Sequence, residues 1–540
     1  MKETIEQYEK RLSDFASERN DIAARIVSLE ALIRDRSTAE PVKKPVNGTL
    51  PPAPPAPQSK TAPVPTPTPA VTPQTAEAKT TQVTTAQTTT AQTTTAQTTA
   101  QPTTTEVKVA EVTTAPVTSK EVVAKPAAGE LDDALHHTYD SPTSRAVPVP
   151  AKKTGSADIV GFGKKSVLIL RNGVRREIIN ASPNFTLQDG WDTTKHIRTL
   201  GDTTGDGHPD LIGFKDDGVY VSRNKGDNTF DAPKLVHNGM GYNSNWRVDK
   251  DLRFAVDLRN NGYVDFVGFG DEGVYVTKNN GDGTYPAQTS CILHEFGGNQ
   301  GWKLDSHIRL LVDLGNNNIL DIVGFGEDNV SVSLGNGDGT FGERKIVFNN
   351  LSVKDNWEVK KHPRLLGDVT GNGLPDIVGF GEEGVYVALN KGNGTFDSPK
   401  FVLKAFGYGP AVGAWRIDRH YRYLADMNGD GRLDIVGFGN EGVWVAFSNG
   451  DGTFLQPKLL IDTFGYDAGD WRVGKHPRFV VDLTGDGFAD IVAFGEQGVY
   501  VSFNDGKGRL GPYEMLTSEF AFRNGEWDPS QTVRYVTNVF

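Results

Sequence analysis

Oxygen-bearing side chains recur at a fixed spacing along the C-terminal part of this chain. In "DMNGDGRLD", residues 426–434, Asp426, Asn428, Asp430 and Asp434 stand at positions 1, 3, 5 and 9 of one glycine-rich loop. Copies occupy residues 202–210, 257–265, 368–376 and 482–490, and the copy at 313–321, "DLGNNNILD", has lost its glycine. Such donors, with a backbone carbonyl at position 7, can surround a hard cation, and Ca²⁺ is the ion they suit. The candidate ligands are Asp202, Thr204, Asp206 and Asp210; Asp368, Thr370, Asn372 and Asp376; Asp426, Asn428, Asp430 and Asp434; and Asp482, Thr484, Asp486 and Asp490. The 257–265 loop, with Asn261 and an arginine in its middle, is a poorer set. None is an EF-hand, because position 12 carries no Glu and each loop runs from strand to strand. The competing reading is a plain Asp/Gly turn whose carboxylates cap backbone N–H groups.

A second recurring group pairs aromatic residues with fixed donors. Tyr408, Trp415, His420 and Arg422 repeat as Tyr466, Trp471, His476 and Arg478, with Trp302, His307 and Arg309 and with Trp191, His196 and Arg198 in two further copies. An aromatic platform beside a few donors suits a sugar, whose C–H face stacks while its hydroxyls take hydrogen bonds. The alternative is structural: Trp wedges between repeated units while His and Arg brace them. Three copies depart from the pattern. Asp251 and Thr532 replace the His, and "NNLSVKDNW" replaces the aromatic connector before Trp357.

These groups need a scaffold that presents them periodically. The Asp opening "DIVGFG" or a variant falls at 158, 210, 265, 321, 376, 434 and 490, a period of about 55 residues. Each unit holds four strand-like runs, such as "RHYRYLAD", "LDIVGFG", "GVWVAFS" and "PKLLIDT", separated by Gly, Asn and Asp turns. Four strands per unit in seven units predict an all-β seven-bladed β-propeller over 155–540. The first unit lacks its innermost strand, and "EWDPSQTVRYVTNVF" at the C-terminus supplies it, which predicts ring closure across the ends. Strand parity puts the acidic loops on one face and the Trp connectors with the "GFGNEG"-type loops on the other. The second acidic loop, as in "SNGDGTF", reads as a hairpin turn.

Two other segments precede the propeller. Ile5, Tyr8, Leu12, Phe15, Arg19, Ile22, Ile26, Leu29 and Ile33 alternate spacings of three and four, an a/d seam that predicts an α-helical coiled coil over 1–36. "RIVSLE", residues 25–30, resembles a short trimer-specifying motif, while Ile at a with Leu at d leans to a dimer, so a homo-oligomer is expected, with the trimer favoured. Residues 37–154, with runs such as "TTAQTTTAQTTTAQ", are too poor in apolar surface to fold and read as a disordered Thr/Pro-rich linker. A net charge of −12 argues against a nucleic-acid partner. The single cysteine excludes internal disulfides, and no apolar run is long enough to span a membrane. Without a visible secretory signal the expected location is cytoplasmic, with unconventional release as the alternative.

Units of the type "GDWRVGKHPRFVVDLTGDGFADIVAFGEQGVYVSFNDGKG", and the closing "TVRYVTNVF", resemble the Psathyrella velutina lectin family of integrin-like propellers. Bacterial propeller lectins share the same core. The resemblance covers about residues 155–540. It implies N-acetylglucosamine-type sugars bound between blades and Ca²⁺ in the acidic loops; the bacterial relatives imply fucose instead. The resulting expectation is a multivalent lectin for terminal sugars. A protein-binding or adhesion scaffold is the alternative, and near-identical pockets in several units favour a small repeated ligand over it. No constellation breaks the repeat as a single catalytic centre would, so no enzyme is expected.

Overall fold

The computed structural model describes residues 157–171, 177–524 and 527–537. The coiled coil expected at 1–36 and the linker at 37–154 lie outside them. The described residues form seven four-stranded antiparallel sheets, each a meander from an innermost to an outermost strand, and contain no α-helix. Blade two is typical: Ile197–Gly201, Asp210–Phe214, Val219–Ser222 and Lys234–His237. Blades three to seven follow in the same order along the chain. Blade one joins the two ends of the ring, because Val533–Thr537 pairs with Asp158–Phe162 and so completes the sheet of Val167–Arg171 and Glu177–Ser182. Tyr535 adds a side-chain bond across the seam, its hydroxyl 2.7 Å from the Arg198 carbonyl in blade two.

Burial falls outward across each blade, and sequence follows it. The second strand, "DIVGF" in blades one, four, five and six, is buried at every position because neighbouring blades cover both of its faces. The third strand, such as Val385–Ala388, keeps one half-buried Tyr, and the fourth, such as Lys400–Leu403, opens on two exposed residues. A lysine begins the outermost strand in blades two, four, five and six, where charge discourages edge pairing. Between blades the chain passes through a connector with a large apolar residue at positive φ: Phe185, Met240, Phe296, Leu351, Phe406, Phe464 and Phe520 lie between 56° and 65°. A bulky residue pays for that conformation, and burial of each side chain between blades offsets it. No helix among the described residues is long and apolar enough to cross a membrane.

Candidate functional site

The two loop faces separate as strand parity requires. Connectors dock on the second-to-third loop of the blade they leave: Tyr408 N–H donates to the Gly381 carbonyl at 3.0 Å and Gly409 N–H to Glu382 at 2.9 Å. The acidic loops pack instead on the third-to-fourth turns, as where Asn279 Nδ2 donates to the Thr203 carbonyl at 2.8 Å. Those turns are the hairpins expected, with Asp451 Oδ1 accepting the Thr453 N–H at 2.9 Å.

At each junction the tryptophan is driven edge-first between blades. Trp191, Trp302, Trp415 and Trp471 are 2–8% exposed. The ring lies on the glycine of the second strand, so close that a Cβ on Gly437 would stand 2.5 Å from the Trp415 ring. In six of the seven blades glycine leaves that space free. Blade seven has Ala493 at this position. The innermost arginines are also buried. Arg198, Arg309, Arg422 and Arg478 each donate from Nη1 to the carbonyl of the positive-φ connector residue, Phe185, Phe296, Phe406 and Phe464, at 2.9–3.2 Å. Each guanidinium also lies 5.4–5.9 Å from the second-strand Phe of the preceding blade. Burial pulls Arg422 down to about 9 and Arg478 to about 10, so both remain charged at neutral pH. The wedge and brace left open by the sequence is the packing these residues adopt.

The histidines are held at both ring nitrogens. Nδ1 of His196, His307, His420 and His476 accepts the N–H of the residue after Trp, at 3.1–3.2 Å. That fixes the proton on Nε2, which faces Asp216 at 3.1 Å, Glu327 at 3.3 Å, Asn440 at 2.7 Å and Glu496 at 3.3 Å. Burial lowers all four, His420 and His476 to about 4, against the pull of their partners. Each His is therefore a neutral donor that aims a carboxylate or amide of the second-to-third loop. These oxygens escaped the sequence reading, although a constant signal was present: every pair is 20 residues apart. Asp251 keeps half of the arrangement, its Oδ2 accepting the Arg247 N–H at 2.8 Å.

What faces solvent at a junction is a different set. A pocket of about 670 Å³ between blades four and five is lined by Asn356, Trp357, His362, Glu382, Glu383 and Tyr386, among others. The sequence reading discounted this junction for lack of an aromatic connector. Here Tyr386, from the third strand, supplies the half-buried ring, 5.7 Å from Trp357 and at 79° to it. Its counterparts are Tyr275, 5.4 Å from Trp246, and Tyr500, 6.1 Å from Trp471. Tyr408 and Tyr466 are half-buried, and each has one face covered by a guanidinium, Arg416 at 3.6 Å and Arg472 at 3.8 Å.

In the acidic loops the carboxylates already accept backbone N–H groups. Asp426 takes those of Gly429 and Gly431 at 2.7 and 2.8 Å; Asp202, Asp368 and Asp482 repeat this. Asp210, Asp376, Asp434 and Asp490 are buried and each carboxylate bridges its own loop to the third-to-fourth turn. Asp206, Asp430 and Asp486, with Asn372, are left at the exposed tips, while Thr204, Thr370 and Thr484 bond back to the first Asp of their loops. Burial, then the neighbouring carboxylates, pushes Asp434 and Asp490 up to about 7. Blade three shows how this charge is compensated from within: Arg259 donates twice to Asp265, at 2.8 and 3.0 Å. The other loops have no such pair within the loop except Arg432 with Asp430, and no three carboxylates of any loop converge within 4.8 Å of one another, so a cation there would have to draw on Asn, Thr and backbone oxygens as well.

This ring of seven repeated junctions has a close match among solved structures. Residues covering 73% of this chain and 98% of the other superpose, with a TM-score of 0.69 and 48% identity, on an Agrocybe aegerita lectin solved for its specific recognition of non-reducing terminal N-acetylglucosamine. Fold and junctions thus define a seven-bladed propeller lectin, a carbohydrate-binding class without enzymatic activity. The chain belongs to the Psathyrella velutina lectin-like family. A Photorhabdus luminescens Tc holotoxin pore matches at 17% identity and TM-score 0.36 over 60% of this chain and 14% of that one. AofleA from Arthrobotrys oligospora matches at 10% and 0.30 over 74% and 98%. No protein-family model and no curated protein sequence matches the chain.

Proposed function

We propose that the chain is a multivalent lectin for non-reducing terminal N-acetylglucosamine, bound at the junctions between blades. The observation that carries this reading is the 48% identity to the Agrocybe aegerita lectin over almost its whole length. The junction geometry supports a division of labour. The aimed oxygen of Asp216, Glu327, Asn440 or Glu496, and Glu382 in the pocket between blades four and five, takes sugar hydroxyls or the acetamido N–H, while Tyr386 and the Trp edge at the pocket cover apolar sugar surface. Trp415, Trp471, Trp302 and Trp191 act through that edge alone. Their His and Arg neighbours position the aimed oxygen and the connector. Tyr408 and Tyr466, each with one face on a guanidinium, form the rim.

Two further elements belong to the same reading. Ca²⁺ in the loops at 202–210, 368–376, 426–434 and 482–490 clips the opposite face, and a coiled coil over 1–36 multiplies the number of rings per molecule. Titration calorimetry with N-acetylglucosamine, on the wild type and on Glu382→Gln, tests the sugar assignment. The expected result is binding at several sites with loss of one in the variant. Binding of fucose with none of N-acetylglucosamine would overturn it.

A further inference from the structure

Blade three breaks the repeat with residues of soft-metal chemistry. On its outermost strand, Ser290–Leu293, Cys291 is in register with Tyr275 of the third strand. The same register place holds Leu235, Ile346, Phe401, Leu459 and Met515 in blades two, four, five, six and seven. All five are large apolar side chains, 39–58% exposed, so packing does not call for a cysteine there. Three residues further, His294 opens the connector. Its Nδ1 lies 3.6 Å from Cys291 Sγ. Glu272, from the second-to-third loop of the same blade, completes the group: one ligand atom from each of the three lies within 4.8 Å of the others. Among the described residues no other three His, Cys, Asp or Glu meet in this way.

The Cys–His distance is informative. A tetrahedral Zn²⁺ with Zn–S near 2.3 Å and Zn–N of about 2.0–2.1 Å has an S···N edge of about 3.5–3.6 Å. Sulfur, imidazole and carboxylate are a donor set for Zn²⁺, and the hard oxygen loops on the other face are not. We propose that Glu272, Cys291 and His294 form a Zn²⁺ site on the rim of blade three, with water as the fourth ligand. Binding exchanges the thiol proton for the metal: Cys291 S–H loses H⁺ to solvent and its sulfur lone pair forms the Zn–S bond, with no change of oxidation state. The ion ties the second-to-third loop of blade three to the connector that leaves that blade. It acts as a local clip there.

The test uses the full-length reduced protein in excess Ca²⁺, which saturates the acidic loops. Calorimetry with Zn²⁺ should show one equivalent, and Co²⁺ should give a thiolate-to-metal charge-transfer band. Cys291→Leu places at this position the residue that blades two and six already carry, so it should fold and melt as the wild type does without zinc. It should lose the zinc equivalent and the cobalt band together. His294→Ala should lose the equivalent as well, and Glu272→Gln should bind at least about tenfold more weakly. No zinc equivalent in the wild type, an equivalent retained in Cys291→Leu, a cobalt complex without the thiolate band, or unchanged affinity in Glu272→Gln would each overturn the site.

Discussion

Arg422 donates from Nη1 to the carbonyl of Phe406 at 3.1 Å, and Phe406 is held at a φ of 56° with its ring 5.0 Å from Trp415. One buried bond thus fixes the connector, the wedge and the first residues of the innermost strand together. The same trio recurs around the ring. It explains why a charged side chain with Nε and Nη2 lacking protein acceptors persists in an apolar junction.

Replacing Arg422 by Met removes the donor and leaves the Phe406 carbonyl unsatisfied in the interior. We expect a loss of about 1–2 kcal/mol, on the order of 2–4 °C in Tm, with sugar affinity at the other junctions unchanged. Thermal denaturation with and without N-acetylglucosamine measures both. A variant as stable as the wild type would show that the connector holds its conformation without this bond.

The buried histidines make stability depend on pH in a definite direction. His420 and His476 are lowered to about 4, against about 6.5 in an unfolded chain. Between these values the unfolded chain binds more protons than the folded one, so stability rises with pH there. Their contribution is complete above about pH 6.5 and is lost as pH falls toward 4. Asp434 and Asp490, raised to about 7, act oppositely: their contribution is present below the usual carboxylate range and is lost as pH rises toward 7. A comparison of variants separates the two. The Tm gap between wild type and a His420→Gln, His476→Gln double variant should narrow from pH 7 to pH 4.5. A constant gap, or histidine resonances titrating near 6.5, would contradict the buried neutral assignment.

Calcium should stabilise without touching sugar binding. An ion that binds only the folded loops raises Tm by mass action. Those loops pack on the third-to-fourth turns, at the opposite end of each blade from the Trp junctions. Chelation should therefore lower Tm and leave the N-acetylglucosamine affinity intact. Asp430→Asn should reduce the calcium-dependent part of the shift. Chelation that abolished sugar binding with no change in Tm would reverse the assignment of roles.

The scaffold was legible because each of its determinants is local and repeated. Strand length, turn chemistry and the Asp at the head of "DIVGFG" recur in every unit, and the missing first strand is written at the other end of the chain. The roles within the junction were harder to read. A positive φ at Phe406 or Phe464 has no residue signature, so the Arg–carbonyl brace that depends on it cannot be anticipated from composition. Nor does a Trp spacing tell which edge of the ring is covered; that follows from the bare glycine opposite it, as at Gly437. The acid aimed by each His was visible only as a constant separation along the chain. Arg259, suspected of weakening the blade-three loop, does so by pairing with Asp265 itself.

Valency is where the N-terminal segments enter. A single junction pocket is open and polar, so each site should bind a monosaccharide weakly, with Kd around the millimolar range. If the proposed coiled coil joins two or three rings through residues 1–36, several junctions per ring would convert later contacts into nearly intramolecular ones. Linked sites of this kind gain about 10²–10⁴ in avidity where geometry allows simultaneous engagement. A linker of the 37–154 composition lets each ring find its own orientation on a crowded surface. Deleting residues 1–36 should then leave monosaccharide affinity in calorimetry unchanged, yet reduce retention on a dense N-acetylglucosamine surface by at least about tenfold. Light scattering should show the full-length protein as an oligomer and the truncated one as a monomer. Equal surface retention by the two proteins, or a monomeric full-length chain, would mean that valency comes from the ring alone.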